Sequence, residues 1–511
     1  MFDLCYTNKH EDYGRSSYAR VYRVASYSCS LFFVRKWRKF YMNSVNRYLA
    51  EESIGKLMLK FSIPCIMSLL VSALYNIVDQ IFIGRGVGYL GNGATNVVFP
   101  ITIIALSIAL LIGDGCAAYL SICQGRKDEE NAHRSVGNAI VFTMIISLIL
   151  TLLFVVLKNQ VLMGFGATEN TLSYADEYFT YIVIGIPFFM FANMMNSIIR
   201  ADGSPQFAML STLVGCIINI VLDPIAIFVL GWGMMGAALA TIIGQFVSAV
   251  LAMYYVKHTK SIKLKKDSFK LRGSLLKRIL PLGISSFLTQ ISIVVIMGVM
   301  NNVLVTYGAQ SKYGPDIPLT VVGIVMKVFQ IVISFVVGIA AGSQPIVGYN
   351  YGAGQMKRVK QIFKTMILAE AVIGLIAMIC FECFPMQIIA IFGSEDGLYN
   401  EFAVMAFRLY LGTIVLCCIQ KATSIFLQSL GKPMLSMGLS LLRDFVLSVP
   451  LVLILPVMLG VTGTLYSAPI ADVVSFIVVI IISTYILKHL DKEQQEEEIM
   501  EASRLQVQGI S

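Results

Sequence analysis

Residues 203–257 read GSPQFAMLSTLVGCIINIVLDPIAIFVLGWGMMGAALATIIGQFVSAVLAMYYVK. Two apolar runs, about 207–230 and 236–257, flank the turn Gly231-Trp232-Gly233. Each is long enough for a helix to cross ~30 Å of hydrocarbon. Pro205, just after Gly203-Ser204, suits a first helical turn, whose N–H groups have no partner to lose. The stretch therefore predicts a transmembrane helical hairpin. Its landmarks return near the end of the chain: Gly203-Ser204-Pro205 as Gly431-Lys432-Pro433, Gly233-Met234-Met235-Gly236 as Gly460-Val461-Thr462-Gly463, and Val247-Ser248 as Val474-Ser475.

An offset of about 227 residues carries the repeat further. Gly115 to Gly125, read as a turn before Arg126 and Lys127, recurs as Gly342 to Gly352 before Lys357 and Arg358. With 57% hydrophobic and 14% charged residues, the chain lies outside the soluble range. Twelve apolar runs are expected, at about 57–84, 95–119, 135–157, 177–198, 207–230, 236–257, 279–306, 318–341, 362–384, 402–427, 434–456 and 462–487. The fold class is thus an all-α membrane protein with twelve transmembrane helices in two pseudo-twofold-related six-helix lobes. An even number of helices per copy gives both the same orientation, so they are related by an axis along the membrane normal.

The net charge of +9 is placed by topology. Basic residues fill alternate loops: Arg126, Lys127 and Arg134, then nine between Lys257 and Arg278, then Lys357, Arg358 and Lys360. The intervening loops carry few cations, and Glu395, Asp396 and Glu401 follow helix 9. By the positive-inside bias both termini are cytoplasmic, and no nucleic-acid partner is needed to explain the charge. Residues 1–41 form a dispensable or disordered N-terminal extension, with Met42 a candidate start. Residues 42–257 form the N-lobe, 258–278 a basic cytoplasmic linker, 279–488 the C-lobe, and 489–511 a charged cytoplasmic tail.

Most cysteines fall inside apolar helices and read as reduced packing residues. Cys380-x-x-Cys383 lacks the strand-to-helix context of a redox motif. The four histidines, His10, His133, His258 and His489, are expected in tails or loops, which leaves carboxylates as the proton carriers. No nucleophile pair or structural metal set marks an enzyme, and no cofactor is called for. Trp232 reads as an interfacial anchor.

An ionised side chain in hydrocarbon costs several kcal/mol, so intramembrane acids are functional candidates. Asp79 in helix 1 and Asp223 in helix 5 stand out. At ~1.5 Å per residue, Asp223 lies roughly 24 Å from the basic end of helix 5, and Asp79 lies one to two turns before the outer end of helix 1. Tyr75 is one turn from Asp79, Asn219 one turn from Asp223, and Thr241 on helix 6 reaches the same layer. Two carboxylates in a dry pocket do not easily both stay ionised, so this group is expected to take up H⁺ or to hold Na⁺ between its oxygens. The plainer reading is that the acids only cap or pair with neighbouring helices. The repeat carries Asn219, Asp223 and Thr241 onto Leu447, Leu451 and Ala468, so ion coupling is assigned to the first lobe. Gln290, Lys327, Gln330, Met194 and the Arg443-Asp444 pair are substrate-surface candidates or structural pairs, and Met297 and Met300 are flexible neighbours.

On these segments, Leu74 to Gly84, Asn219 to Pro224 and Gly231 to Thr241, the chain resembles the MATE (multidrug and toxic compound extrusion) family in its bacterial DinF-like or MepA-like branch. The resemblance implies a V of two lobes in the bacterial cell membrane, acting as a single chain. It implies efflux of organic cations or other amphipathic drugs or metabolites against inward H⁺, favoured over Na⁺. It also makes Asp79, Asp223, Asn219, Tyr75 and Thr241 the ion-coupling cluster and Pro64 a helix-bending residue, which its missing N–H supports. The rival is a lipid-linked precursor flippase of the same superfamily, and a non-transporting receptor or scaffold would show no flux under any gradient.

Overall fold

The computed structural model describes residues 48–507 except 166, 168 and 393–396. The N-terminal extension, His10, Glu395 and Asp396 lie outside the described residues. The first six spans are α1 (Ile54–Gly86), α2 (Tyr89–Gly125), α3 (Glu129–Val156), α4 (Glu169–Ala201), α5 (Pro205–Pro224) and α6 (Gly233–Lys257). The second six are α7 (Gly273–Gly308), α8 (Asp316–Gly352), α9 (Met356–Cys383), α10 in two segments (Gly397–Leu411 and Ile414–Ser429), α11 (Pro433–Leu441 and Val449–Leu459) and α12 (Gly463–Val507). The apolar stretch Pro433–Gln495 is 63 residues long, too long for one crossing, and it turns back at Gly460–Thr462. α10 bends by 41° at its break.

The repeated landmarks have local physical causes. Gly203 and Gly431 turn between spans with φ of 80° and 71°, and Gly233 and Gly460 with φ of 49° and 63°, where a side chain would be strained. Pro205 and Pro433 each open a helix. A π-helical turn follows α5 at Ile225–Val229, next to Pro224, and another interrupts α11 at Leu442–Ser448. α3 is capped by Asp128, whose Oδ1 accepts from Asn131 N at 3.2 Å, with Glu129 and Glu130 in the first turn.

One expectation from the repeat is corrected. Gly115–Gly125 and Gly342–Gly352 are not turns but the last helical turns of α2 and α8. Their glycines are where the lobes touch. A Cβ on Gly125 would overlap the Tyr349 carbonyl oxygen, and one on Gly352 would overlap the Ile122 carbonyl oxygen. A Cβ on Gly342 would stand 2.7 Å from Ser62 Cα, and one on Gly338 would stand 2.8 Å from Ile66 Cα. These contacts all fall in the halves of the helices nearest the basic loops, and Ser62 Oγ adds a bond to the Ile339 carbonyl at 3.3 Å.

The opposite halves tell a different story. Asn76, Asn96, Asn301, Asn302, Lys327 and Gln330 lie inside spans, yet they are exposed. Polar groups at membrane depth line water rather than lipid. The lobes are therefore closed at the basic end and apart at the other. The lipid faces are apolar, as with exposed Leu148, Leu152 and Val156 on α3 and Leu368, Ile376 and Ile379 on α9.

The basic segment after α6 is strapped to the first lobe. Asp202 accepts from Lys260 N at 2.7 Å, from Ser261 N at 2.9 Å, and from the Ser261 and Tyr255 hydroxyls. Asn138 Nδ2 donates to the carbonyls of Ser268 and Lys270, and its Oδ1 accepts from Arg272 N at 2.6 Å. Lys263 N donates to Nδ1 of His133 at 3.0 Å. His133 is thus a buried residue of α3 rather than a loop residue, because its ring fixes the strap.

Candidate functional site

The five residues expected to cluster do so. Asp223 is fully buried and Asp79 is 8% exposed, and the two carboxyls lie within hydrogen-bonding reach of each other. Asn219 is positioned one turn below Asp223, so its amide donates to Asp223 Oδ1 at 3.1 Å and to Thr241 Oγ1 at 3.2 Å. Tyr75, one turn before Asp79, stands close to both acids. The π-helical turn at Ile225–Val229 begins directly beyond Pro224, at the outer rim of the cluster.

Three buried oxygens in this cluster, Asp79 Oδ1, Asn219 Oδ1 and Asp223 Oδ2, have no donor. A buried acceptor without a partner costs about 1–3 kcal/mol, so three together are an unfilled demand for a proton or a cation. No Lys or Arg pairs with Asp79 or Asp223 among the described residues. The donor set of carboxyl, amide, hydroxyl and phenol oxygens suits either H⁺ or a hard cation. No cluster of three or more His, Cys, Asp or Glu stands ready for a metal ion among the described residues.

Sequence reasoning missed two parts of the site. Tyr178 on α4 is buried beside Asp79, Tyr75 and Asp223, near Thr241. The spacing of Tyr174, Tyr178 and Tyr181 along one helix face was the available signal. Asp114 on α2 was also overlooked, although it lies inside the apolar run 95–119, next to the Gly115–Gly125 stretch read as a turn. Its Oδ1 accepts from Ser197 at 2.6 Å and faces Arg200 at 3.6 Å, while its Oδ2 accepts across the lobe boundary from Ser286 at 2.8 Å. Gln428 donates to that same Ser286 hydroxyl at 3.3 Å. Asp114 therefore ties the lobes together where they are closed.

The substrate-surface candidates separate. Lys327 and Gln330 are exposed on α8 and Gln290 is half-buried on α7. Met297, Met300 and Met326 line a small depression between α7 and α8 together with Asn301. Met194 is fully buried on α4, packed against Gly113 of α2, and contributes to the lobe core. Arg443 and Asp444 belong to a buried ionic network in the second lobe. Arg443 Nε meets Asp472 Oδ1 at 2.8 Å and its Nη1 meets Asp444 Oδ1 at 2.9 Å; Lys421 Nζ meets Asp444 Oδ2 at 2.7 Å, and Thr413 Oγ1 donates to Asp472 Oδ2 at 2.9 Å. Leu447, Leu451 and Ala468 leave this lobe without a copy of the acidic pair.

The MatE family model matches residues 64–225 and 284–454, one segment in each lobe. The chain belongs to the MATE family of transporters. Curated relatives include the multidrug export protein MepA of Staphylococcus haemolyticus (strain JCSC1435), 27% identical over 436 residues that cover 84% of this chain and 92% of the relative. MepA of Staphylococcus aureus (strain N315) is 25% identical over 426 residues, covering 83% and 92%. Among solved structures, a MATE protein in its straight conformation matches at TM-score 0.80 and 25% identity, over 87% of this chain and 98% of that one. A MATE protein in its bent conformation matches at 0.81 and 25%, over 88% and 99%. The match to the MATE fold spans both lobes, so the chain is a multi-pass membrane protein with the twelve-helix architecture.

Proposed function

We propose that this MATE protein is a proton-coupled multidrug efflux antiporter of the bacterial cell membrane, with both termini cytoplasmic. The observation that carries the reading is the contact between Asp79 and Asp223 in a pocket where neither pairs with a Lys or Arg among the described residues. Two buried carboxyls within hydrogen-bonding reach do not easily both stay ionised, and sharing a proton is the step assigned to them here, with H⁺ over Na⁺ as the coupling ion. The multidrug export described for the MepA relatives supports small organic cations and other amphipathic compounds as cargo.

The cycle follows from the geometry. With the basic, cytoplasmic end closed by glycine contacts and by Asp114–Ser286, the cleft opens outward and drug leaves as the acid pair takes up a proton. Return to the inward-open form delivers that proton to the cytoplasm and restores the site for cargo. Pro64 lies in the half of α1 that contacts α8, where a missing N–H lets the helix bend as the lobes rock. Gln290, Lys327 and Gln330 are proposed to face cargo in the open cleft.

Proteoliposomes bearing a pH gradient or a Na⁺ gradient, each imposed alone, test the reading. Efflux of a cationic dye driven by the pH gradient and lost in Asp79→Asn is the expected result. Efflux that needs Na⁺ instead, or that survives Asp79→Asn, overturns it.

A further inference from the structure

We propose that Glu370 is a second proton-binding carboxyl, set in the C-terminal lobe against the break in α10. Glu370 lies midway along α9, is fully buried, and neither carboxyl oxygen has a hydrogen-bond partner. It forms no ion pair among the described residues. An ionised carboxylate buried this way costs several kcal/mol, and the neutral acid far less. The group therefore holds a proton in this conformation.

The surroundings explain why the bound species is a proton and not a metal ion. A hard cation takes about six oxygens or more. Glu370 has the buried thiol of Cys418 in electrostatic reach, and no side-chain donor or acceptor bonds to it. The other charged groups on adjoining helices are turned away or already engaged. Asp472 on α12 is held by Arg443 and Thr413, and Lys327 on α8 is exposed. On the first segment of α10, Glu401 pairs with Lys312 and Arg408 with Glu382. On α1, Lys56 pairs with Glu52 and Lys60 lies over the Tyr48 ring. Toward the basic end, Lys360 of α9 pairs with Asp491 of α12, and His489 with Glu493.

The location gives the proton a way out. One turn beyond Glu370, Gly374 lets α9 approach the second segment of α10: a Cβ there would stand 2.8 Å from Val415 Cα and 3.2 Å from Cys418 Sγ. That contact comes just after the break between Leu411 and Ile414. The segment covering Glu370 is thus hinged beside it, and movement at the break admits water to the carboxyl. Proton exchange at Glu370 is then linked to the same lobe movements as transport, and only this last step rests on the transport reading.

Infrared spectroscopy of the full chain in lipid, in H₂O and D₂O, tests the proposal. The Asp79→Asn, Asp223→Asn protein is expected to keep a protonated-carboxyl stretch at neutral pH, which disappears when Glu370→Gln is added. Glu370→Gln matches the neutral acid in shape, and an unchanged thermal transition shows that it folds. If Glu370→Gln removes no carboxyl band, the proposal fails, whatever the dye assay shows. In the otherwise native chain, proton release on adding a cationic dye in weak buffer is expected to fall with Glu370→Gln. Release unchanged by Glu370→Gln but lost with Asp223→Asn would confine exchange to the first lobe and overturn the linkage at Glu370.

Discussion

The two lobes share one helical plan and treat their buried pairs of aspartates in opposite ways. In the first, Asp79 and Asp223 meet with no Lys or Arg partner among the described residues, and three oxygens of the cluster lack donors. In the second, Asp444 and Asp472 are locked by Lys421 and Arg443 into a network without net charge. Duplicated architecture evidently does not duplicate chemistry. An uncompensated pair responds to protons, whereas a compensated one holds helices in place, because each charge there already has its partner.

The sharpest way to break this contrast is to leave the second lobe's acids without their cation. Arg443→Met strands Asp472 and half of Asp444, and is expected to destabilise the protein by about 3–5 kcal/mol, read as a lower thermal transition in detergent. In the first lobe, Asp223→Asn is expected to cost about 5- to 150-fold in pH-gradient-driven dye flux, the range of a 1–3 kcal/mol coupling, with the thermal transition kept or raised. If both substitutions lowered stability alike and left coupling intact, the division of labour would be wrong. Gly125→Val places a side chain against the Tyr349 carbonyl and is expected to cost the closed basic end about 1–3 kcal/mol, seen as greater labelling of cysteines placed along the basic-end lobe contacts. The smallest expected change is Tyr178→Phe, which removes one hydroxyl beside Thr241 and shifts the pH midpoint of flux by an amount worth about 0.5–1.5 kcal/mol.

Much of this contrast was legible in the sequence, because apolar run length and basic-loop alternation are direct consequences of the bilayer. Asp79, Asp223, Asn219, Tyr75 and Thr241 were findable because a charge in hydrocarbon is conspicuous and helical spacing places its neighbours. Tyr178 was marked only by its spacing with Tyr174 and Tyr181, since a tyrosine in a membrane helix carries no such penalty and its partners come from other helices. Asp114 was passed over inside the 95–119 run, where it borders the Gly115–Gly125 glycines that look like a turn when read locally. Those glycines are helical because their purpose is tertiary: they admit the backbone of the other lobe, which no local pattern reveals. Glu370, Asp472 and Lys421 were equally visible as letters, but only packing distinguishes an acid with a cation partner from one with none.

The strap formed by Asp202, Asn138 and His133 has a consequence for the duplication itself. Residues 258–272 would otherwise be a slack leash joining two repeats, free to let them wander or exchange partners with another copy of the chain. Tied down as far as Arg272, the leash delivers the second repeat at Gly273 already in register with the first. The cost in configurational entropy of bringing the two repeats together is thereby met largely within one of them.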